Sequence, residues 1–337
     1  MGYQTPAWRG ISAAVTGYTA QRLPFSPQAW DGASVLGPQQ KSFSVLGQSN
    51  LRYNSSALDL VIYRQLLDTP FLNPYDFRMV PVAYEAYTAK VKPGADWQIV
   101  VSQVAAIKEW TDTQFRSLSS AAGYGGNSQL TMAGVLYAPS EGPKFQLWNY
   151  QAYDLMNTSY FQADLNWQKN DWRFSAGAQG LAQADTGRAL AGSLHAAQTG
   201  VKFGAGRGPW NAAVALTYAA IGEDVLNPWG GYPGYTSIME EDCDYSGERA
   251  WLVHFDYDFA SLGAPGLKAL MDYTHSHVTD MSWASPNQRE SDFNLRYEFD
   301  GKLRGLSLLA RQAFVTHSHS FDNTRYSDTR FMLNYNF

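Results

Sequence analysis

Hydrophobic residues in this chain recur at every second position, in short runs repeated from one end to the other. In the last nine residues Phe331, Leu333, Tyr335 and Phe337 share one face, against Arg330, Asn334 and Asn336 with Met332 on the other. Phe293, Leu295, Tyr297 and Phe299 alternate with Asp292, Asn294, Arg296 and Glu298, and Phe161, Ala163, Leu165 and Trp167 alternate with Gln162, Asp164, Asn166 and Gln168. Trp172, Phe174 and Ala176 oppose Arg173, Ser175 and Gly177, and Phe43, Val45, Gly47, Leu51 and Tyr53 oppose Ser42, Ser44, Gln48, Asn50 and Arg52. A period of two is that of a β-strand with one apolar and one wet face. The wet faces carry long charged side chains that a packed core would exclude, so one face meets water and the other lipid. The pattern predicts an all-β fold, an antiparallel transmembrane β-barrel.

Sixteen strands are visible, near 8–19, 42–54, 58–67, 81–91, 95–106, 130–138, 143–151, 158–168, 171–180, 196–205, 210–219, 249–259, 266–275, 292–299, 305–315 and 328–337. Short connections (55–57, 92–94, 139–142, 169–170, 206–209, 260–265, 300–304) alternate with long ones (20–41, 68–80, 107–129, 181–195, 220–248, 276–291, 316–327). Short turns at one end and long loops at the other are the asymmetry of outer-membrane barrels. Trp167, Trp172 and Trp210 flank two of the short turns, where an interfacial aromatic girdle belongs.

Composition supports this reading. Aromatic residues make up 15% and charged residues 16% of the 337 positions, and no apolar run approaches the ~18 residues of a membrane-spanning helix. The net charge of −5 leaves no basic footprint for nucleic acid. The lone Cys243 forms no internal disulfide and builds no cysteine zinc cage. The opening Met1, Gly2, Tyr3, Gln4 and Thr5 has no signal-peptide pattern. His275 and His277, like His317 and His319, each share a strand face near the long-loop rim; with a strand between the pairs, rim polarity accounts for them better than a metal site. The Gly-Ala-Gly-Arg-Gly run at 204–208 misses dinucleotide spacing and reads as a tight reversal, and no Gly-x-Ser-x-Gly elbow occurs. Nothing points to an enzyme or a cofactor.

Four segments, in collinear order over nearly the whole chain, resemble the OprD-type family of substrate-selective outer-membrane porins, which includes the chitoporins. They are Leu-Asp-Thr-Pro-Phe-Leu-Asn-Pro-Tyr-Asp-Phe-Arg-Met-Val-Pro at 67–81, the stretch from Asn227 and Pro228 through Gly234, Tyr235 and Thr236 to Trp251, Tyr-Asp-Phe-Ala-Ser-Leu-Gly-Ala-Pro-Gly-Leu at 257–267, and Gly-Lys-Leu-Arg-Gly-Leu-Ser-Leu at 301–308. The resemblance implies a single barrel domain over 1–337 with eighteen strands in the complete protein, monomeric or loosely trimeric. The segment 2–12 looks like the start of the family's third strand, which would place two strands and a signal peptide before Met1; a closed sixteen-strand barrel is the alternative. It also implies a multi-pass protein of the bacterial outer membrane, whose partners are lipid and small-molecule solutes.

The same resemblance makes 68–80 a loop folded into the lumen, with Asn73, Tyr75, Asp76 and Arg78 presenting polar groups to the solute; the bland reading is a surface loop with a local Asp76–Arg78 pair. A second constricting loop corresponds to 220–248, carrying Glu240, Glu241, Asp242, Asp244 and Glu248 around Cys243. Parity puts Arg52, Arg173, Arg296 and Arg330 on the wet face, with Arg64, Lys202 and Arg311 as further candidates; pairing with Asp164, Asp292 or Glu298 is the competing role. Family members that take carboxylates line one wall with basic residues. The modest basic count here departs from that pattern and leaves carboxylates, amino acids and sugar-like solutes open. The expected function is passive diffusion of such solutes; the alternative is a barrel plugged by its own loops, serving as scaffold or adhesin.

Overall fold

The computed structural model describes residues 1–24, 34–75 and 78–336. Its strands are β1 (Gly2–Gln4), β2 (Ile11–Ala20), β3 (Phe43–Asn54), β4 (Leu58–Gln65), β5 (Ala83–Val91), β6 (Trp97–Lys108), β7 (Leu130–Tyr137), β8 (Lys144–Ala152) and β9 (Met156–Lys169). They continue as β10 (Trp172–Asp185), β11 (His195–Arg207), β12 (Trp210–Ala219), β13 (Glu248–Asp258), β14 (Leu267–Val278), β15 (Asn287–Glu298), β16 (Leu306–Ser318) and β17 (Asn323–Tyr335). Antiparallel ladders join each strand to the next, as in β9–β10, where Trp172 faces Lys169 across a turn carrying Asn170 at φ 54°. Among the described residues no helix is long and apolar enough to cross a membrane; α1 (Leu118–Ala121) has four residues.

All sixteen expected strands are present. The seventeenth, β1, corrects the count: at three residues it is too short to display a period. The strands also run further toward the long-loop end than alternation indicated. β10 reaches Asp185, β14 reaches Val278, β15 begins at Asn287, and β16 and β17 approach each other to Ser318 and Asn323. The extensions of β14, β15, β16 and β17 carry polar residues on both faces, and that of β10 presents only the small Ala182 and Ala184 outward, so they lack the hydropathy signal. The connections shrink accordingly to 279–286 and 319–322, and β8 and β9 are joined on the long-loop side by residues 153–155 alone.

Burial along the strands is inverted relative to a water-soluble sheet. On β12, Val214, Leu216 and Tyr218 are exposed, whereas Ala215, Thr217 and Ala219 are buried. The bulky apolar residues therefore face outward, where they suit hydrocarbon, while the ladders pair the backbone groups of neighbouring strands. Aromatic side chains gather near the short turns: Trp97 lies 4.7 Å from Tyr137, Trp167 5.4 Å from Phe174, and Trp172 5.3 Å from Trp210. This is the expected girdle.

One parity expectation fails. Phe43 and Val45 do not share the outward face of Leu51 and Tyr53; they are buried inside with Ala20 and Val80. Between β2 and β3 the register slips, Thr16 facing Gln48 and Gly17 facing Leu46, so Gly47 is left unpaired in a bulge that moves every earlier residue to the opposite face. Glycine is required there, since a Cβ on Gly47 would lie 2.6 Å from the Tyr18 ring. A second bulge in β6 leaves Ala105 unpaired opposite Glu85 and Ala86.

Candidate functional site: two loops folded against the inner wall

Two long connections fold against the inner wall and meet. The first, 66–82, is held by its apolar residues. Leu72 is fully buried, and the Phe71 ring is wedged edge-on among Tyr150 of β8, Tyr160 of β9 and Tyr232 of the second loop, at 5.5, 5.6 and 6.2 Å. The Thr69 hydroxyl donates to Leu72 O (2.9 Å) and the Tyr84 hydroxyl bridges Asn73 O (3.0 Å) and Trp229 O (2.7 Å). Trp110 Nε1 donates to Tyr75 O (2.9 Å), and the Arg78 guanidinium lies over the Trp110 ring at 5.6 Å. Burial first, then the nearby Asp242 carboxylate, pushes the Tyr75 phenol up to about 12, so it is a neutral donor.

The second connection, 220–247, crosses from the β5–β9 side to β15–β17. At its near end the Asn73 amide donates to Gly231 O (2.9 Å) while Gly231 N donates back to Asn73 Oδ1 (2.8 Å). No side chain fits at that seam: a Cβ on Gly231 would lie 2.8 Å from Tyr75 Cδ2. The Trp229 indole donates to Leu118 O (2.9 Å), the Gln183 amide clamps both backbone groups of Leu226, and Gln198 accepts from Tyr232 and donates to Cys243 O. At its far end Met239 N donates to Asp292 (3.1 Å), and Glu240 N and Glu241 N donate to Glu290 (3.0 and 2.9 Å). Glu240 pairs with Arg330, which also pairs with Asp328 at 2.6 Å.

A cavity of about 250 Å³ remains between these loops and the β16 wall, lined by Tyr75, Tyr232, Glu240, Asp242 and Arg311. It shares Tyr75, Gly231 and Tyr232 with a neighbouring cavity of about 530 Å³, where Gln146, Gln162 and Trp148 form a hydrogen-bonded ladder on β8 and β9. It shares Ser237 and Ile238 with another of about 780 Å³ that reaches Arg173, Lys202 and His254. The lining thus carries both signs on one side and neutral amides and aromatics on the other. Burial raises Glu240 to about 7 against the pull of Arg330, and burial likewise raises Asp242 and, further, Asp244.

The residues singled out in the sequence are dispersed through this arrangement. Asn73 and Tyr75 stand at the seam between the loops, Arg78 against Trp110; Asp76 lies outside the described residues. Arg52 forms a two-pronged ion pair with Asp59 of the next strand (2.6 and 2.8 Å), Arg173 donates to Asn211 Oδ1 (3.0 Å), and Arg296 pairs with Glu298 (2.9 Å). Arg330, with a side chain only 10% exposed, is enclosed by the second loop. Asp244 lies within that loop, and buried Glu248 accepts from Tyr245 N (2.8 Å). Arg64 pairs with Glu85 (2.9 Å), Arg311 donates to Asn294 (2.6 Å), and Lys202 lies 4.6 Å over the Tyr235 ring. Glu290 and Gln146 were not anticipated, and Gln162 only as one residue of the wet face of β9; the inward row Gln288, Glu290 and Asp292 continues the alternation of β15 and was the trace of Glu290.

The two histidine pairs face opposite ways. His275 and His277 are exposed on the outer side, His275 stacking with Trp251 at 6.0 Å, while His317 turns inward to Glu241 at 2.6 Å. No cluster of three metal-ligating side chains occurs among the described residues.

Comparison with known proteins bears on the family and the fold. A family model described as outer membrane porin, OprD family, matches residues 5–337. The porin-like protein GalP of Pseudomonas putida is 27% identical over 185 residues, which span 53% of this chain and 44% of that protein, less than half its length. The crystal structure of Pseudomonas aeruginosa OpdK with vanillate superposes with a TM-score of 0.87 at 21% identity, covering 99% of this chain and 91% of that one. A BenF-like porin from Pseudomonas fluorescens Pf-5 gives 0.86 at 19% identity, covering 98% and 87%. The chain belongs to the OprD family of outer membrane porins, β-barrel channels of the outer membrane rather than enzymes.

Proposed function

We propose that this porin passes small organic solutes by passive, substrate-selective diffusion, without a cofactor, through a lumen narrowed by loop 68–80 together with loop 220–248. The observation that carries the reading is the seam between the loops, Asn73 on Gly231, beside which lies a cavity of about 250 Å³ bordered by Tyr75, Arg311, Glu240 and Asp242, read here as part of the passage. A space of that size admits a small solute with few waters, so lining charge and hydrogen-bonding groups govern passage. Arg311, Lys202, Arg173 and Arg296 supply attraction for a carboxylate; Gln146, Gln162, Trp148 and Tyr232 suit a hydroxylated or ring-bearing body. Carboxylates, amino acids and sugar-like acids all meet both demands, and OpdK, a structural relative, was crystallised with vanillate. The channel works as a monomer or loose trimer, with outer-membrane lipid and small-molecule solutes as its partners.

Single-channel recording in planar bilayers tests the reading: discrete openings, with conductance lowered by a permeating carboxylate in the bath, are expected. The second reading, a barrel plugged by its own loops as scaffold or adhesin, draws on the dense hydrogen bonding that ties both loops to the wall. Persistent electrical silence of the refolded protein would establish it and sink the channel.

A further inference from the structure

The far end of the second loop is fastened at one point that does not border the passage. Glu241 is 5% exposed, and its carboxylate accepts from three successive strands: Gln288 Nε2 on β15, His317 Nε2 on β16 (2.6 Å) and the Tyr326 hydroxyl on β17 (3.0 Å). Its own backbone N–H is taken by Glu290 (2.9 Å). The residues flanking it, Met239, Glu240 and Asp242, line the 250 Å³ cavity, whereas Glu241 points the other way. A charge-assisted carboxylate with three donors is a strong anchor, and removing it takes an acceptor from the buried Gln288 amide as well as from the more exposed His317 and Tyr326.

We infer that Glu241 is a positioning residue of the pore: it pins segment 237–244 to the β15–β17 wall and so sets the width and charge arrangement of a passage it never touches. The inference rests on the channel reading above. Since its carboxylate is turned from the passage, its charge does not act on a solute directly; its loss acts through the displacement of Glu240 and Asp242.

The experiment is single-channel recording of the full chain in planar bilayers, with unequal salt across the membrane to read the reversal potential. Folding is checked independently by the shift in gel mobility between heated and unheated samples. For Glu241→Ala the expected result is an open conductance on the order of twofold higher, since pore width limits ion passage, with a reversal potential moved toward zero. Glu241→Gln keeps the shape and an acceptor oxygen and is expected to restore most of the wild-type behaviour. If Glu241→Ala does not fold, Tyr326→Phe decides, because it removes one donor at a half-exposed position and should raise conductance by a smaller amount. Wild-type channels beside folded Glu241→Ala or Tyr326→Phe channels of unchanged conductance and selectivity would overturn the inference. A silent wild type would instead overturn the channel reading.

Discussion

Phe71 offers the sharpest measure of what holds the first loop inside. It is 4% exposed and meets Tyr150, Tyr160 and Tyr232 edge-on at 5.5 to 6.2 Å. Truncating a buried phenylalanine to alanine costs ~3–5 kcal/mol. The two Asn73–Gly231 hydrogen bonds together return only ~1–3 kcal/mol at the usual net value of each. The ring therefore contributes at least as much to docking as the polar seam does. A loss of ~3 kcal/mol shifts the docked-to-undocked ratio by about two orders of magnitude. Since Phe71 belongs to a loop and the ladders around it stay intact, Phe71→Ala is expected to fold but to give noisy channels with frequent excursions to a higher conductance. Phe71→Leu should stay close to wild type. Planar-bilayer traces read this directly. Quiet Phe71→Ala channels at the wild-type level would refute the claim that this wedge holds the loop.

Three further outcomes are expected. Gly231→Val drives a side chain into Tyr75, the first contact being 2.8 Å away; overpacking of this kind costs ~1–3 kcal/mol, so conductance and blocking should change while the melting of the wall, followed by gel mobility against temperature, stays put. Val214→Arg places a charge on the lipid-facing side of β12 and should cost ~2–4 kcal/mol, lowering the urea midpoint for folding into vesicles, whereas Ala213→Ser on the inner face should leave it nearly unchanged. For pH the sign follows from the loop carboxylates: Glu240 is raised from 4.5 to about 7 when docked, and Asp242 and Asp244 move the same way. That contribution to docking is full below about 4.5 and lost as pH rises through about 7, so conductance at fixed salt should climb over this window and flatten in Glu240→Gln; a flat or falling wild-type profile would contradict it.

The barrel could be read from the sequence because its outer face is a local property: lipid demands an apolar side chain at each outward position, and the residues state that demand in pairs such as Val214 and Leu216. Strand ends were not legible where neither face meets hydrocarbon, as over 287–291, which carries Glu290. The site was less legible still, because its contacts join distant residues. Asn73 and Gly231 lie 158 positions apart and Glu241 and Tyr326 85 apart, and nothing in either neighbourhood encodes the other. Parity assigned Arg330 to the inside but could not foresee that Glu240 and Asp328 enclose it there.

The unpaired Gly47 has a bearing on how this porin tolerates change. By stepping the count of β3 by one, it turns Phe43 and Val45 into an apolar seat for Val80 at the far end of the first loop. Apart from the glycine at the bulge, what matters there is the number of residues, not their identity. Exchanging Val45 for another aliphatic side chain would leave the seat in place, while deleting one residue between 46 and 48 would rotate it into the lipid and strand Val80 in the lumen. A scan of point substitutions would single out Gly47 and score its neighbours as permissive; a scan of single-residue deletions would find the whole stretch among the most sensitive in the wall.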